Sequence, residues 1–305
     1  MRVAFITRLA QRASEDPSID LVVGDLGFGV VTDFAEAYPL QFLNAGVAEQ
    51  SMIGIAAGMA AAGRKVFVYS IANFPTMRCL EQIRNDVCYH GLDVTIVSVG
   101  AGLAYGTLGY SHHAVEDIAV MRAFPGLTIY SPCDPREVTA AVDAICETSG
   151  PTYLRLGKNR EPVLHATPPD VASGAPLLLR DGMDLTLFVT GAIAAVGLEA
   201  ASVLESDHGV SVRVMSVPRI KPLDAGALVG AAVGTRGIAT LEEHSVVGGF
   251  GSAVLEAFAA DGVRLPVLSL GLRDDVQSAV GSQEYLRNLA GLSVGEIAER
   301  LLRFR

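Results

Sequence analysis

Residues 44–71, NAGVAEQSMIGIAAGMAAAGRKVFVYSI, hold two different periods in one short stretch. From Val47 onward the chain is almost all small or apolar. Met52, Ile53, Ala56, Ala57 and Ala60 recur at helical spacing, which predicts a helix packed on several sides. Gly63 closes it as a C-cap glycine. VFVYSI (66–71) then follows as a short β-branched run, the mark of a buried strand. The alternation continues in both directions. LVVGDL (21–26), VTIVSVG (94–100), LTIYSP (127–132) and TYLRLG (152–157) read as further buried strands, each separated by enough chain for a helix or a long loop. That is a mostly parallel α/β sheet with helices on both faces.

The pattern breaks at NREPVLHATPPDVASGAP (159–176), which has four prolines and no helical period. Beyond it, LTLFVTG, VSVRVMSV, GIATLEEH and LPVLSLG read as strands, with IAAVGLEAASVLES and GSAVLEAFAADG as helices between them. The expected organisation is an α/β domain over 1–160, a linker over 161–175 and a second α/β domain over 176–305. A chain of 305 residues, half of them apolar, can bury one large core or two ordinary ones. Net charge is −10 with no Lys/Arg run, so nucleic acid and anionic membrane are poor partners. Runs such as LTLFVTGAIAAVGL fall short of the ~18–20 residues needed to span a bilayer, and the N-terminal stretch turns polar too soon for a signal peptide. Cys79, Cys88, Cys133 and Cys146 show no CxxC pairing. They are expected to be reduced and structural in a soluble, cytoplasmic protein.

Several familiar motifs fail on inspection. GMAAAGRK (58–65) lacks the Lys directly after the second Gly that a phosphate-binding loop requires. GDLGFG (24–29) and GGFG (248–251) are Gly-rich turns after strands, where α/β proteins place ligand loops, but neither has dinucleotide spacing. His112 and His113 are adjacent and cannot share one helix-face metal site. What remains is a constellation: Glu49 at the start of its apolar helix, Phe74 and Arg78 in IANFPTMRCLEQIRND, and a Gly-bracketed loop, AYGTLGYSHHAVEDIA (104–119), carrying His112. Two readings of Glu49 stand side by side. An acidic residue in a first turn opposes the helix dipole and needs no other purpose; a buried acid with a chemical task is the sharper alternative.

These motifs resemble a known family. FLNAGVAEQSMIGIAAGMAAAG, ANFPTMRCLEQIRNDV and GYSHHAVEDIAVMRAFPGLTIYSPCDPREV resemble the pyrimidine-binding domain of transketolases and of 1-deoxyxylulose-5-phosphate synthase. VSVRVMSVPRIKPLD and IATLEEHSVVGGFGSAVLE resemble the transketolase C-terminal domain. The diphosphate-binding half of such enzymes carries a GDG followed by an Asn pair that holds Mg²⁺, and this sequence contains neither. The resemblance is therefore to the second subunit of a split transketolase. It implies thiamine diphosphate as cofactor, with the Mg²⁺ ligands on a partner subunit that carries the diphosphate-binding domain, in an α2β2 complex acting on small-molecule substrates.

The resemblance also assigns roles. Glu49 matches the carboxyl group that hydrogen-bonds a ring nitrogen of the cofactor's aminopyrimidine. Such a group benefits from an apolar setting, where desolvation favours a shared proton. Phe74 matches an aromatic that packs on that ring, with Met77 as a further contact and Asp25 lining the cofactor cleft. His112 matches the histidine that reaches the donor's oxygens. Lys158 falls where the family has an Arg gripping a sugar phosphate, and Arg155 lies nearby. Leu108 stands where members carry an Asp that holds a sugar hydroxyl, and Gly100 where many carry a phosphate-binding His. Both departures point to a less hydroxylated or unusual substrate. The segment GLRDDVQSAVGSQEYL (271–286) also departs from the family pattern. Two other readings are the β-subunit of a 2-oxo acid dehydrogenase or decarboxylating synthase, and a non-catalytic scaffold partner.

Overall fold

The computed structural model describes residues 1–158, 160–262 and 264–305. Strands β1 (Ile19–Val23), β2 (Phe42–Asn44), β3 (Lys65–Ile71), β4 (Val94–Val99), β5 (Thr128–Tyr130) and β6 (Thr152–Leu156) precede the proline-rich stretch. After it come β7 (Leu177–Arg180), β8 (Leu185–Val189), β9 (Val212–Ser216), β10 (Arg219–Lys221), β11 (Gly237–Ser245) and β12 (Val267–Leu272). They form two sheets, ordered β10-β5-β6-β4-β3-β1-β2 and β12-β11-β8-β9-β7. Within them only β10 on β5 and β7 on β9 pair antiparallel. Every residue of β1, β4, β6 and β8 is buried, as a parallel sheet covered on both faces demands.

The two halves are not separate in space. β10 comes from beyond the proline-rich stretch yet closes the edge of the first sheet, Arg219 opposite Tyr130 and Lys221 opposite Ile129. One apolar cluster likewise joins Met52, Ile53, Ile118 and Met121 to Phe188, Val217, Ile220 and Phe250. The proline-rich stretch is itself pinned. Asp134 Oδ2 accepts the backbone N–H of Leu164 and of His165 at 2.8 and 2.9 Å, and His165 Nε2 lies 2.9 Å from Glu137 Oε1.

Helix Glu49–Ala61 buries Glu49, Met52, Ile53, Ala56 and Ala57. Those positions make a single i, i+3, i+4 stripe, so the helix is covered on one side and not on several. Val47 and Ile55 remain exposed. The N-terminal helix Arg2–Glu15, which the strand alternation does not announce, buries Phe5, Ile6, Leu9 and Ala13 on the opposite face of the sheet. The GGFG turn is not a ligand loop. Glu242 Oε2 and Oε1 accept Phe250 N–H and Gly251 N–H at 2.6 and 2.8 Å, so the chain's own carboxylate occupies the start of helix Phe250–Ala260.

Candidate active site

β1 is flanked by β2 on one side and β3 on the other, with β4 beyond β3. The loops leaving β1, β2 and β3 therefore diverge at a switch point, where open α/β sheets leave a crevice beyond the strand ends. Asp25 follows β1, Glu49 follows β2, and Phe74 and Arg78 follow β3. The loop carrying His112 follows β4, and Lys158 follows β6. Positions far apart in sequence are thus delivered to one edge of one sheet.

Glu49 is 4% exposed, and its Oε2 accepts from Arg78 Nη1 at 2.9 Å. The setting is not the wholly apolar one that the sequence suggests, because Arg78 reaches in from the β3 loop. Among the described residues Oε1 accepts no hydrogen bond, nor is it sealed from solvent. Arg78 also spans the face of Phe74, its guanidinium carbon 4.4 Å from the ring centroid. His112 meets Phe74 edge-on at 5.2 Å, and the Tyr105 ring lies 6.3 Å from His112. Lys158 Nζ sits 4.4 Å over Tyr105. The result is an alternation of rings ending in a cation at each side. Burial lowers the pKa of His112, which favours the neutral imidazole, and Ser111 Oγ lies 3.0 Å from its Nδ1.

Beside Phe74 opens a cavity of about 630 Å³ lined by Asn73, Phe74, Met77, Arg78, Tyr110, Ser111, His113, Glu116 and Val120. Asn73 fixes one wall by donating to the carbonyls of Ser111 and His113 at 3.2 and 2.5 Å. His112 and Leu108 are not among its walls. Leu108 is 53% exposed on the single turn Gly106–Leu108. Asp25 is exposed with φ 54°, and it exchanges hydrogen bonds with Asn44: Asp25 N–H to Oδ1 at 3.0 Å and Asn44 Nδ2 to Asp25 Oδ1 at 2.9 Å. That pair ties the β1 loop to the β2 loop.

Arg155 must be reassigned. It is 3% exposed, and it donates to Asp117 at 2.7 and 3.2 Å, to Ala114 O at 2.8 Å and to Glu243 O at 3.2 Å. Tyr153 adds its hydroxyl to the same Asp117 at 2.5 Å. Burial would push Asp117 up, but Arg155 and His244 beside it hold its pKa below the usual value. This is a buried structural ion pair that joins β6 to helix Asp117–Arg122 and, through the Glu243 carbonyl, to β11. Nearness to Lys158 nominated Arg155, but it lies within β6, where every residue is buried.

The C-terminal segment that departs from the family pattern acquires a physical account. Gly281 N–H donates to Gly106 O at 3.2 Å, and a Cβ on Gly106 would lie 2.4 Å from Leu286 Cδ1. Glu243 Oε1 accepts Leu103 N–H at 2.6 Å and Gln283 Nε2 at 2.8 Å, while Arg287 Nε donates to its Oε2 at 2.6 Å. Residues 281–287 therefore brace the loop that carries Leu108 and His112. Nothing in a single sequence signals that contact. Arg78 was visible in the β3 segment; Asn73 and Tyr105 carried no signal of their own.

Residues 1–162 match the transketolase pyrimidine-binding domain, and residues 174–297 match the transketolase C-terminal domain. The chain belongs to the transketolase family. It is 38% identical over 276 residues to an apulose-4-phosphate transketolase subunit of Phocaeicola vulgatus, covering 90% of this chain and 88% of that one. It is 34% identical over 298 residues to the 6-deoxy-6-sulfo-D-fructose transketolase subunit SqwH of a Clostridium species, covering 97% and 92%. A solved split-gene transketolase, described as an inactive beta4 tetramer, superposes with a TM-score of 0.88 at 35% identity over 98% of this chain and 96% of that chain. The transketolase resemblance and the α/β architecture inferred from the sequence both hold. This is a transferase-like enzyme subunit, and its family implies dependence on thiamine diphosphate. The residues present fit the pyrimidine end of that cofactor: Glu49 keeps a carboxylate oxygen unengaged within the described residues, and the Phe74 ring walls the neighbouring cavity. No helix among the described residues is long and apolar enough to cross a membrane.

Proposed function

We propose that this chain is the pyrimidine-binding subunit of a two-component transketolase that transfers a two-carbon ketol or related acyl unit to an aldehyde. Its cytoplasmic partner would carry the diphosphate-binding domain and the Mg²⁺ ligands, in an α2β2 assembly. The observation that carries this reading is Glu49: buried, oriented by Arg78 through one oxygen, with the other oxygen unpartnered within the described residues, at the switch point of the sheet. Relatives that match this chain over most of their own length are named as transketolase subunits, which supports a partner. So do Phe28, Leu43 and Val47, apolar and exposed in or just after β1 and β2.

Each residue has a task in this reading. Glu49 holds a proton between its free oxygen and the aminopyrimidine ring nitrogen, Phe74 packs on that ring, and Met77 and Asp25 complete the cleft. The cofactor supplies an electron sink for carbanions next to a former carbonyl. His112, neutral and held by Ser111, donates a hydrogen bond to a carbonyl oxygen of the donor. Lys158 takes an anionic tail. Leu108 faces a carbon that bears no hydroxyl, or one whose hydroxyl is turned away. The sugars named for the two relatives carry a phosphate and a sulfonate, which supports an anionic and uncommon substrate.

Titration calorimetry tests the split. The chain alone should bind thiamine diphosphate weakly with or without Mg²⁺, and adding the partner should restore tight binding. Tight Mg²⁺-dependent binding by the isolated chain would refute the two-component reading.

A further inference from the structure

Lysine is scarce here: only Lys65, Lys158 and Lys221 occur in 305 residues. Two of them are tied down. Lys65 Nζ donates to Asp93 and to the carbonyls of Ile145 and Thr148. Lys221 Nζ donates to the carbonyls of Arg122 and Phe124. Lys158 differs, since among the described residues its ammonium meets no carboxylate or carbonyl but the face of Tyr105, 4.4 Å from the centroid. A cation over a ring is held in place without being neutralised, which leaves its charge available to an anion.

The ring that holds it is itself fixed by a glycine. Gly100, at the end of β4, has φ +96°, and a Cβ there would lie 2.1 Å from Tyr105 Cδ2. The phenol ring therefore lies on the bare Cα of Gly100, and any other residue would displace it. Tyr105 also stands 6.3 Å from His112, between the imidazole and the ammonium. Arg2 adds positive charge near the phenol: burial raises the Tyr105 pKa and Arg2 offsets part of that rise. Arg2 Nε is buried without a hydrogen-bond partner among the described residues.

We infer that Tyr105, seated on Gly100, is a positioning residue that sets Lys158 at a fixed reach from His112 and so selects substrates with an anionic tail. This deepens the proposed function and rests on it for the placing of the substrate. The phosphate, sulfonate or carboxylate end would lie against Lys158, while the ring supplies an apolar wall along the carbons between that end and the carbonyl held by His112.

The test uses the complex with its partner, comparing glyceraldehyde 3-phosphate with glyceraldehyde as acceptor. Tyr105→Ala should raise KM for the phosphorylated acceptor by roughly three- to thirtyfold, the range of a cation–π contact, and kcat should change less than KM. Tyr105→Phe should restore the phosphorylated KM, because the ring and not the hydroxyl does the holding. Equal effects on both acceptors, or no change in their ratio, would overturn the inference. If the wild-type complex turns over neither acceptor, the proposed function fails instead, and a second measurement on the full chain still decides this point. Amine acylation read by mass spectrometry, with and without inorganic phosphate, reports each of the three lysines separately. Phosphate should protect Lys158 in the wild type and in Tyr105→Phe but not in Tyr105→Ala, with Lys65 and Lys221 as references for intact folding. Protection in all three proteins, or in none, would refute the role of Tyr105.

Discussion

Two ion pairs in this molecule look alike in sequence and differ in every physical respect. Glu49–Arg78 joins a carboxylate with 5% side-chain exposure to a guanidinium with 48%. Asp117–Arg155 joins 0% to 3%. Both acids are buried, so burial alone does not mark the functional one. The distinction lies in what is left over. Asp117 is surrounded by Arg155, Tyr153 and His244, and Arg155 directs Nε and Nη2 to Asp117 and two carbonyls. Glu49 keeps Oε1 without a partner among the described residues, and Arg78 opens onto the cavity beside Phe74. A satisfied buried network holds a fold together; a buried acid with an unsatisfied remainder is available for chemistry.

The comparison breaks most visibly at Glu49. In the assembled complex Glu49→Gln or Glu49→Ala should lower turnover by ~10²–10⁴, the usual loss when a positioned proton transfer is removed. Melting temperature should change little. If exchange of the cofactor's C2 proton is as fast in both variants as in the wild type, Glu49 is only a helix-dipole partner. The closed pair should respond in the opposite way. Asp117→Asn strands Arg155 in the interior and should cost about 3–5 kcal/mol of stability, read by denaturant unfolding. Activity per folded complex should survive. A double Asp117→Leu/Arg155→Met variant should lose less stability than the single one, because no unpaired charge remains.

Acid sharpens the contrast further. His244 lies 3.8 Å from Asp117, and burial pushes its pKa down to about 4 from 6.5. The folded state therefore binds its proton less readily than the unfolded chain. That contribution is complete above pH 6.5 and is lost as the pH falls toward 4, with an upper limit of about 3 kcal/mol. Glu242 runs the other way: burial raises it to about 7 from 4.5, so its share is complete below pH 4.5 and lost as pH rises to 7. His244→Gln isolates the first effect. The stability gap between wild type and variant should narrow steadily from pH 7 to pH 4.5, and a constant gap would mean that His244 is not held neutral. The smallest expected change concerns Leu108. Leu108→Asp should shift kcat/KM toward hydroxylated aldehydes by about tenfold, one hydrogen bond of roughly 1.4 kcal/mol, in a paired panel of hydroxy and deoxy acceptors. If the wild type already prefers the hydroxylated member as strongly, Leu108 does not face the substrate.

Much of the fold was legible because a parallel sheet writes itself locally. Residues 66–71, 94–99 and 152–156 are apolar enough to be strands on inspection, and all are buried strands here. The short edge strands β2, β7 and β10 were not legible. They are three or four residues long, and their pairing is decided by what lies beside them. At the site, Phe74 and Met77 do line a cavity and Glu49 is buried beside it, while Arg155 misled. Both faces of β6 are covered, and that cover comes from segments distant in sequence.

The sequence by itself determined the alternation of helix and strand, the helical spacing of apolar residues between Met52 and Ala60 and the residue types at the strand ends. These depend on spacing within a dozen residues, where covalent geometry alone fixes the period. The tertiary structure decided everything that depends on contacts between distant segments. It brought Arg78 to Glu49 across 29 positions, Arg155 to Asp117 across 38, and the brace of residues 281–287 onto the loop after β4. It seated Tyr105 on Gly100, where only the absence of a Cβ leaves room for the ring. A side chain's chemistry is set by what surrounds it, and the surroundings of these residues are assembled from parts of the chain that no local pattern connects.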